Sequence, residues 1–176
     1  MKQSLSRVAL SAALLITLFM TPALAGKNTL MVYSTDASVL ELAKAYTQAT
    51  GIPVDYRMQT HAELLNNIDT GPADLILGQD MNQLQDIADA NLLLPVASRS
   101  MERKIPAIHR DPGNRWYGLS MRTSIDGKYH SLSGAAVLKS SKNPVEAAQF
   151  LKWLAGNTAQ KILSRTPDMA HIAAIH

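Results

Sequence analysis

The chain has 176 residues, 47% of them hydrophobic, no cysteine and a formal net charge of +3. That excludes a disulfide scaffold and any thiolate chemistry, and leaves a packed core as the source of stability. The charge is unevenly placed: residues 26–98 hold 3 Lys and Arg against 9 Asp and Glu, and residues 99–176 hold 12 against 5. Such a dipole can orient docking or draw an anion to the basic half, whereas no basic–aromatic motif marks nucleic-acid binding.

Residues 1–25 read as a signal peptide. Lys2 and Arg7 form its basic start, Val8 to Met20 its apolar run, and Ala23-Leu24-Ala25 a small-residue cleavage site. The run is short for a membrane span. Cleavage after Ala25 leaves residues 26–176 for one compact domain, and with no cysteine to carry lipid the expected location is a Gram-negative periplasm.

Thr29 to Tyr33 has the continuous apolar character of a buried strand. Val39, Leu42, Ala43 and Tyr46 then recur at helical spacing until Thr50-Gly51. Pro53 to Arg57 is a second strand, and Thr60 with Glu63 makes a capping box for a helix with Leu64, Leu65 and Ile68 inside. Gly71-Pro72 breaks that helix, Asp74 to Leu77 is a third strand, and Gly78-Gln79-Asp80 leads into a helix over 81–90 with Asn91 as its left-handed cap. This β-α-β-α-β-α order predicts parallel strands joined by right-handed crossovers.

Residues 91–110 read as a connection, with Leu92 to Val96 packed under the sheet and a helical turn over 100–104. Asp111-Pro112-Gly113-Asn114 is a turn, and Trp116 to Met121 the strand after it. Asp126-Gly127 then signals a hairpin into a strand over 133–139. Asn143 is placed to cap a helix with Pro144 at its first position, Glu146 three residues on, and a core stripe of Val145, Ala148, Leu151 and Leu154. Gly156 stops it, a shorter helix follows over 157–165, and the tail from Pro167 is weakly specified.

Two passages carry a likeness to a known family. The first is Ile105-Pro106-Ala107, Arg110-Asp111-Pro112-Gly113, Trp116-Tyr117-Gly118-Leu119 and Arg122; the second runs from Gly127 to Lys139 and on through Asn143 to Leu154. Together they resemble the ferric-iron-binding, type II periplasmic solute-binding proteins of ABC importers. The resemblance implies a single α/β lobe over 26–176, a mainly parallel sheet of about five strands flanked by helices. In that family most of a second lobe lies between the two passages, and here it is missing. The exposed hinge strands would then be covered by the tail over 167–176 or by a second copy of the chain, a homodimer.

In open α/β sheets ligands gather beyond the carboxyl ends of the strands. Three segments meet that description: Ser34 to Ser38, Gln59 to His61, and Gly78 to Asp80. The hydroxyls and free backbone N–H groups of Ser34 to Ser38, Thr35 included, with Thr60, can offer donors to a small ligand or anion, which the Asp36 carboxylate would repel. Alternatively Ser34, Asp36 or Ser38 simply caps the helix that follows, as Thr60 caps its own. His61, Asp36 and Asp80 can form a weak divalent metal site, against the plainer reading of a solvated histidine and two capping carboxylates. Trp116 and Trp153 are expected to pack rather than to stack on a ligand. No Gly-x-Ser-x-Gly elbow, His-Glu-x-x-His or phosphate loop is present, so no enzyme is expected.

The resemblance bears on the same residues. The family's tyrosine pair of iron ligands falls in the missing segment, its first-loop histidine has no counterpart, and its glutamate position holds Gln79. Arg122 matches the first of a pair of arginines that hold an anion, while Ser124 stands at the second; Tyr129 and Ser131 replace a histidine and an asparagine. No cofactor is certain; ferric iron or a small anion, weakly held, is the expected ligand. The implied function is that of a truncated solute-binding protein related to ABC-type ferric iron uptake, with weak or lost binding and an inner-membrane ABC permease as partner. The alternative is a periplasmic sensor or interaction module using the exposed cleft face; a remnant without activity is a third reading.

Overall fold

The computed structural model describes residues 28–123 and 130–165, without the side chains of 121–123 and 130–132. The expected signal peptide, the Asp126-Gly127 turn and the tail over 167–176 lie outside the described residues.

The first half alternates as its periodicity predicts: β1 (Leu30–Ser34), α1 (Val39–Thr50), β2 (Val54–Met58), α2 (His61–Asn67), β3 (Leu75–Asp80) and α3 (Met81–Asp89). The short β4 (Leu93–Leu94) and α4 (Arg99–Lys104) follow, then a 3-10 turn over Ala107–His109, β5 (Tyr117–Thr123), β6 (His130–Leu138), α5 (Pro144–Leu154) and α6 (Asn157–Leu163). Boundary chemistry matches the local sequence. Gly51 closes α1 at φ 70°, Asn91 takes φ 63° after α3, and both bonds of the Thr60–Glu63 capping box are made.

The sheet is mixed. β1 pairs in parallel with β2 and β3, whereas β6 runs antiparallel to β3, β4 and β5. β6 is the strand on which the two halves meet, with β3 along one edge (Leu77↔Ala135) and β5 and β4 sharing the other (Tyr117↔Ala135, Leu94↔Val137). Gly134 makes that approach possible, since a Cβ there would lie 2.4 Å from the Tyr117 carbonyl oxygen and 2.8 Å from Leu84 Cδ1. β5 and β6 are thus neighbouring strands of one sheet, as the hairpin reading requires.

Period-two alternation sends side chains to two cores. Val32, Leu75, Leu77, Ala135 and Val137 face α1, α5 and α6, while Tyr33, Ile76, Ala136 and Leu138 face α2 and α3. Burying each large side chain contributes about 1.5–3 kcal/mol, the term that replaces disulfides here. Tyr46, Phe150 and Trp153 pack ring to ring at 4.7–5.9 Å, so Trp153 is a packing residue. Trp116, 4% exposed, is another, its indole N–H donating to Gln85 Oε1 at 3.2 Å.

Several local expectations need correction. Leu65 (45% exposed) and Val145 (65% exposed) face solvent; the buried stripe of α5 is Ala147, Phe150, Leu151 and Leu154. Asn143 does not cap α5 with its side chain, which is drawn instead to Asp74 at 3.2 Å. Leu93–Leu94 is not merely packed under the sheet but pairs with β6. Gly78 to Asp80 is not a loop: β3 runs through it, with an irregular register at Gly78, whose φ is 93°.

Two buried carboxylates brace the frame. Asp74, 2% exposed, accepts from the Met31 N–H (3.0 Å), the Ser141 hydroxyl (2.7 Å) and the Asn143 N–H (3.1 Å), tying β1, β3 and the start of α5 together. Asp111, 0% exposed, grips the Arg115 guanidinium at 2.7 and 2.9 Å and accepts its N–H at 3.0 Å. Arg115 also reaches the Ala88 carbonyl at 3.0 Å, which fixes the turn before β5 against the end of α3. These bonds hold the Asp111 carboxyl below its ordinary range despite burial. The Arg-Asp-Pro-Gly passage is therefore a structural clamp.

Candidate ligand site at the strand ends

Parallel pairing brings the carboxyl ends of β1, β2 and β3 to one rim, and three segments meet there as expected. The Thr35 N–H donates to the Leu77 carbonyl at 3.1 Å, and the Gln59 N–H to the Ser34 carbonyl at 2.9 Å.

Side chains complete the junction. The Thr35 hydroxyl donates to the Gly78 carbonyl at 2.8 Å, so its oxygen is left to accept from Gln79 Nε2 at 3.4 Å. That turns Gln79 Oε1 toward His61 Nδ1, 2.7 Å away. An amide oxygen only accepts, so Nδ1 carries the proton and Nε2 of the neutral ring keeps its lone pair. The polarity of this relay is set by the Gly78 carbonyl, a group with no choice of role. An imidazole oriented through one nitrogen by a buried partner is the usual arrangement of a histidine that binds with the other. Gln79 is fully buried and His61 half-buried, which places the imidazole at the partly exposed edge of the rim.

The other site residues have local duties. The Ser34 hydroxyl donates to the Asp36 carbonyl at 3.0 Å and accepts from its N–H at 2.9 Å, a closed ring with 0% exposure. Asp36 Oδ1 accepts from the Ser38 N–H at 2.9 Å. Asp80 caps α3 through the Gln83 N–H at 2.9 Å. Thr60 exchanges bonds with Glu63, its N–H and then its hydroxyl holding the Glu63 carboxyl below the ordinary value. The segments of His61, Asp36 and Asp80 converge, yet among the described residues no three His, Asp or Glu side chains are grouped closely enough to hold a metal ion. Arg122 is placed by its backbone, opposite Ser131 in the β5–β6 pair.

Three polar groups at this rim were not among the ligand residues read from sequence, where Ser38 stood only as a helix cap, a bond its side chain does not make. Ser38 Oγ and Gln59 Oε1 are buried without a hydrogen-bond partner among the described residues, and Ser133 (4% exposed) is opposite Asp80 in the register. The first two lie in segments the strand-end rule marks; Ser133 depends on a long-range pairing that no local pattern announces.

The architecture is one lobe of the type II solute-binding-protein fold. The chain is similar, closely in fold and more weakly in sequence, to periplasmic ferric-iron-binding proteins. Iron-bound HitA from Pseudomonas aeruginosa superposes with a TM-score of 0.70 at 18% identity, over 78% of this chain and 84% of that one. The Trichodesmium protein IdiA (FutA), in complex with iron and citrate, gives 0.68 at 17%, over 78% and 84%. The fold alone does not select a ligand: AfuA from Actinobacillus pleuropneumoniae, with fructose-6-phosphate bound, gives 0.66 at 11% identity, over 78% and 82%. By sequence, Iron uptake protein A1 of Synechocystis sp. is 31% identical over 97 residues, which are 53% of this chain and 26% of that protein. The chain thus spans about a quarter of the curated relative's length. No protein-family model matches it.

Proposed function

We propose that this chain is a reduced solute-binding protein of ABC-type ferric iron uptake, exported to the periplasm with residues 1–25 removed after Ala25. It presents a small ligand, or its surviving lobe, to an inner-membrane permease. The observation that carries this reading is the Thr35–Gln79–His61 relay, a preoriented imidazole at the rim where the fold gathers ligand-binding loops. Ser34, Thr35, Asp36, Thr60, Gln79 and Arg122 are the proposed ligand-side residues, with His61, Asp36 and Asp80 contributing to any metal contact.

Binding is weak in this proposal. Hard ferric iron favours carboxylate and phenolate oxygens. The amide of Gln79 is neutral, and Asp36 and Asp80 already accept backbone N–H groups. Two-lobed relatives of this fold bury a ligand by closing one lobe on the other, and a single lobe forgoes that burial. No helix among the described residues is long and apolar enough to cross a membrane.

The test is calorimetric titration of residues 26–176 with ferric citrate, beside metal analysis of the protein as purified. The expected result is weak, saturable binding lost in His61→Ala. Tight binding would refute the weak-site reading, and no binding would remove iron from it. Capture from periplasmic and membrane extract decides the partner: a permease supports transport, and a sensor protein with no permease supports the interaction-module alternative.

A further inference from the structure

A cavity of about 320 Å³ opens on the face of the sheet covered by α4 and α6, and it shares no residue with the strand-end rim. Its floor is apolar. Ile105 and Leu119 belong to the larger core, yet each keeps 8% exposure because packing stops short here. Its wall is polar and basic, formed by Lys104, His109, Ser120 and Gln160.

The bonding state of these groups defines what they can still do. The Gln160 amide N–H donates to the Leu154 carbonyl at 2.8 Å, which holds that wall in place. The Lys104 ammonium donates to the Ala155 carbonyl at 3.3 Å, and among the described residues no carboxylate lies within ion-pair distance of it. An ammonium has three donors, so two have no partner among the described residues. The Ser120 hydroxyl and the His109 ring add further donors. Among the described residues nothing acidic lines the cavity. A cation and several donors above an apolar floor match an anionic head on a short apolar body. The volume sits at the lower end of the range for small-molecule pockets.

We infer that this cavity is a binding site for a short aliphatic carboxylate, with Lys104 pairing to the carboxylate and Ile105 and Leu119 receiving the chain. The inference stands on residues outside the proposed transport site and does not depend on it.

Hexanoate, hexan-1-ol and hexylammonium share one body and differ in the head. Each is titrated into residues 26–176 while the methyl resonances of Ile105 and Leu119 and the backbone amides are followed by NMR. Hexanoate is expected to shift those methyls saturably and to bind at least five-fold more tightly than hexan-1-ol, with hexylammonium weakest. Lys104→Met, at an exposed position that leaves the core intact, is expected to erase the preference for hexanoate while leaving hexan-1-ol unchanged. Equal affinity for acid and alcohol, an unaltered preference in Lys104→Met, shifts centred on other residues, or no saturable shift would each overturn the proposal.

Discussion

Asp111→Ala removes the clamp in front of β5, together with an acceptor for the Gly113 N–H. The carboxylate is fully buried and accepts three bonds from Arg115, at 2.7, 2.9 and 3.0 Å. Breaking one side of a buried, hydrogen-bonded ion pair costs about 3–5 kcal/mol. The low end applies, because the Arg115 side chain is 30% exposed, keeps its bond to the Ala88 carbonyl and lies 3.9 Å from Asp89. A loss of about 3 kcal/mol, with a urea slope of about 2 kcal/mol per molar, lowers the unfolding midpoint by about 1.5 M. Far-UV circular dichroism in urea measures it. The sign with pH follows from the depressed carboxyl: its contribution is complete above the ordinary carboxylate pKa of about 3.9 and fades as pH falls through the lower folded value. Wild type and variant should therefore converge in acid. A loss below about 1 kcal/mol at neutral pH, or a gap that widens as pH falls, would refute the clamp.

Gln79→Leu should leave the His61 ring without its orienting acceptor and weaken any metal binding about 10-fold or more, checked by titration with ferric citrate. Tyr117→Phe removes a hydroxyl that donates to the buried Val96 carbonyl at 2.7 Å, and should cost about 1–3 kcal/mol in urea unfolding. Burial pushes the Tyr117 phenol up to about 12, so in a spectrophotometric titration it should ionise after an ordinary tyrosine. Gly134→Ala should destabilise the sheet by about 2 kcal/mol or more, because the added methyl meets the Tyr117 carbonyl, a backbone atom that cannot step aside.

The parallel half of the fold was legible because its signals are local. Gly51, the Thr60–Glu63 box and Asn91 each mark a helix end through the backbone conformation they favour or the N–H they satisfy. Errors arose where a distant partner decides. Asn143 has the composition of a cap, yet Asp74, 69 residues earlier, takes its amide instead. Val145 fits a helical stripe as well as Phe150 does, and contacts from other elements, such as Tyr46 against Phe150, decide which face is buried. The strand-end rim was found by topology, but its working order was not. Nothing in the sequence shows that Gly78 to Asp80 continues β3 and carries Gln79 into contact with both Thr35 and His61.

The position of β6 has a consequence for biosynthesis. A chain that emerges N-terminus first completes β1 to β3 about fifty residues before the strand that zips onto β3 appears. Until then β3 offers an open ladder to any neighbouring nascent copy, and closing it requires a contact of high sequence separation, which is slow to form.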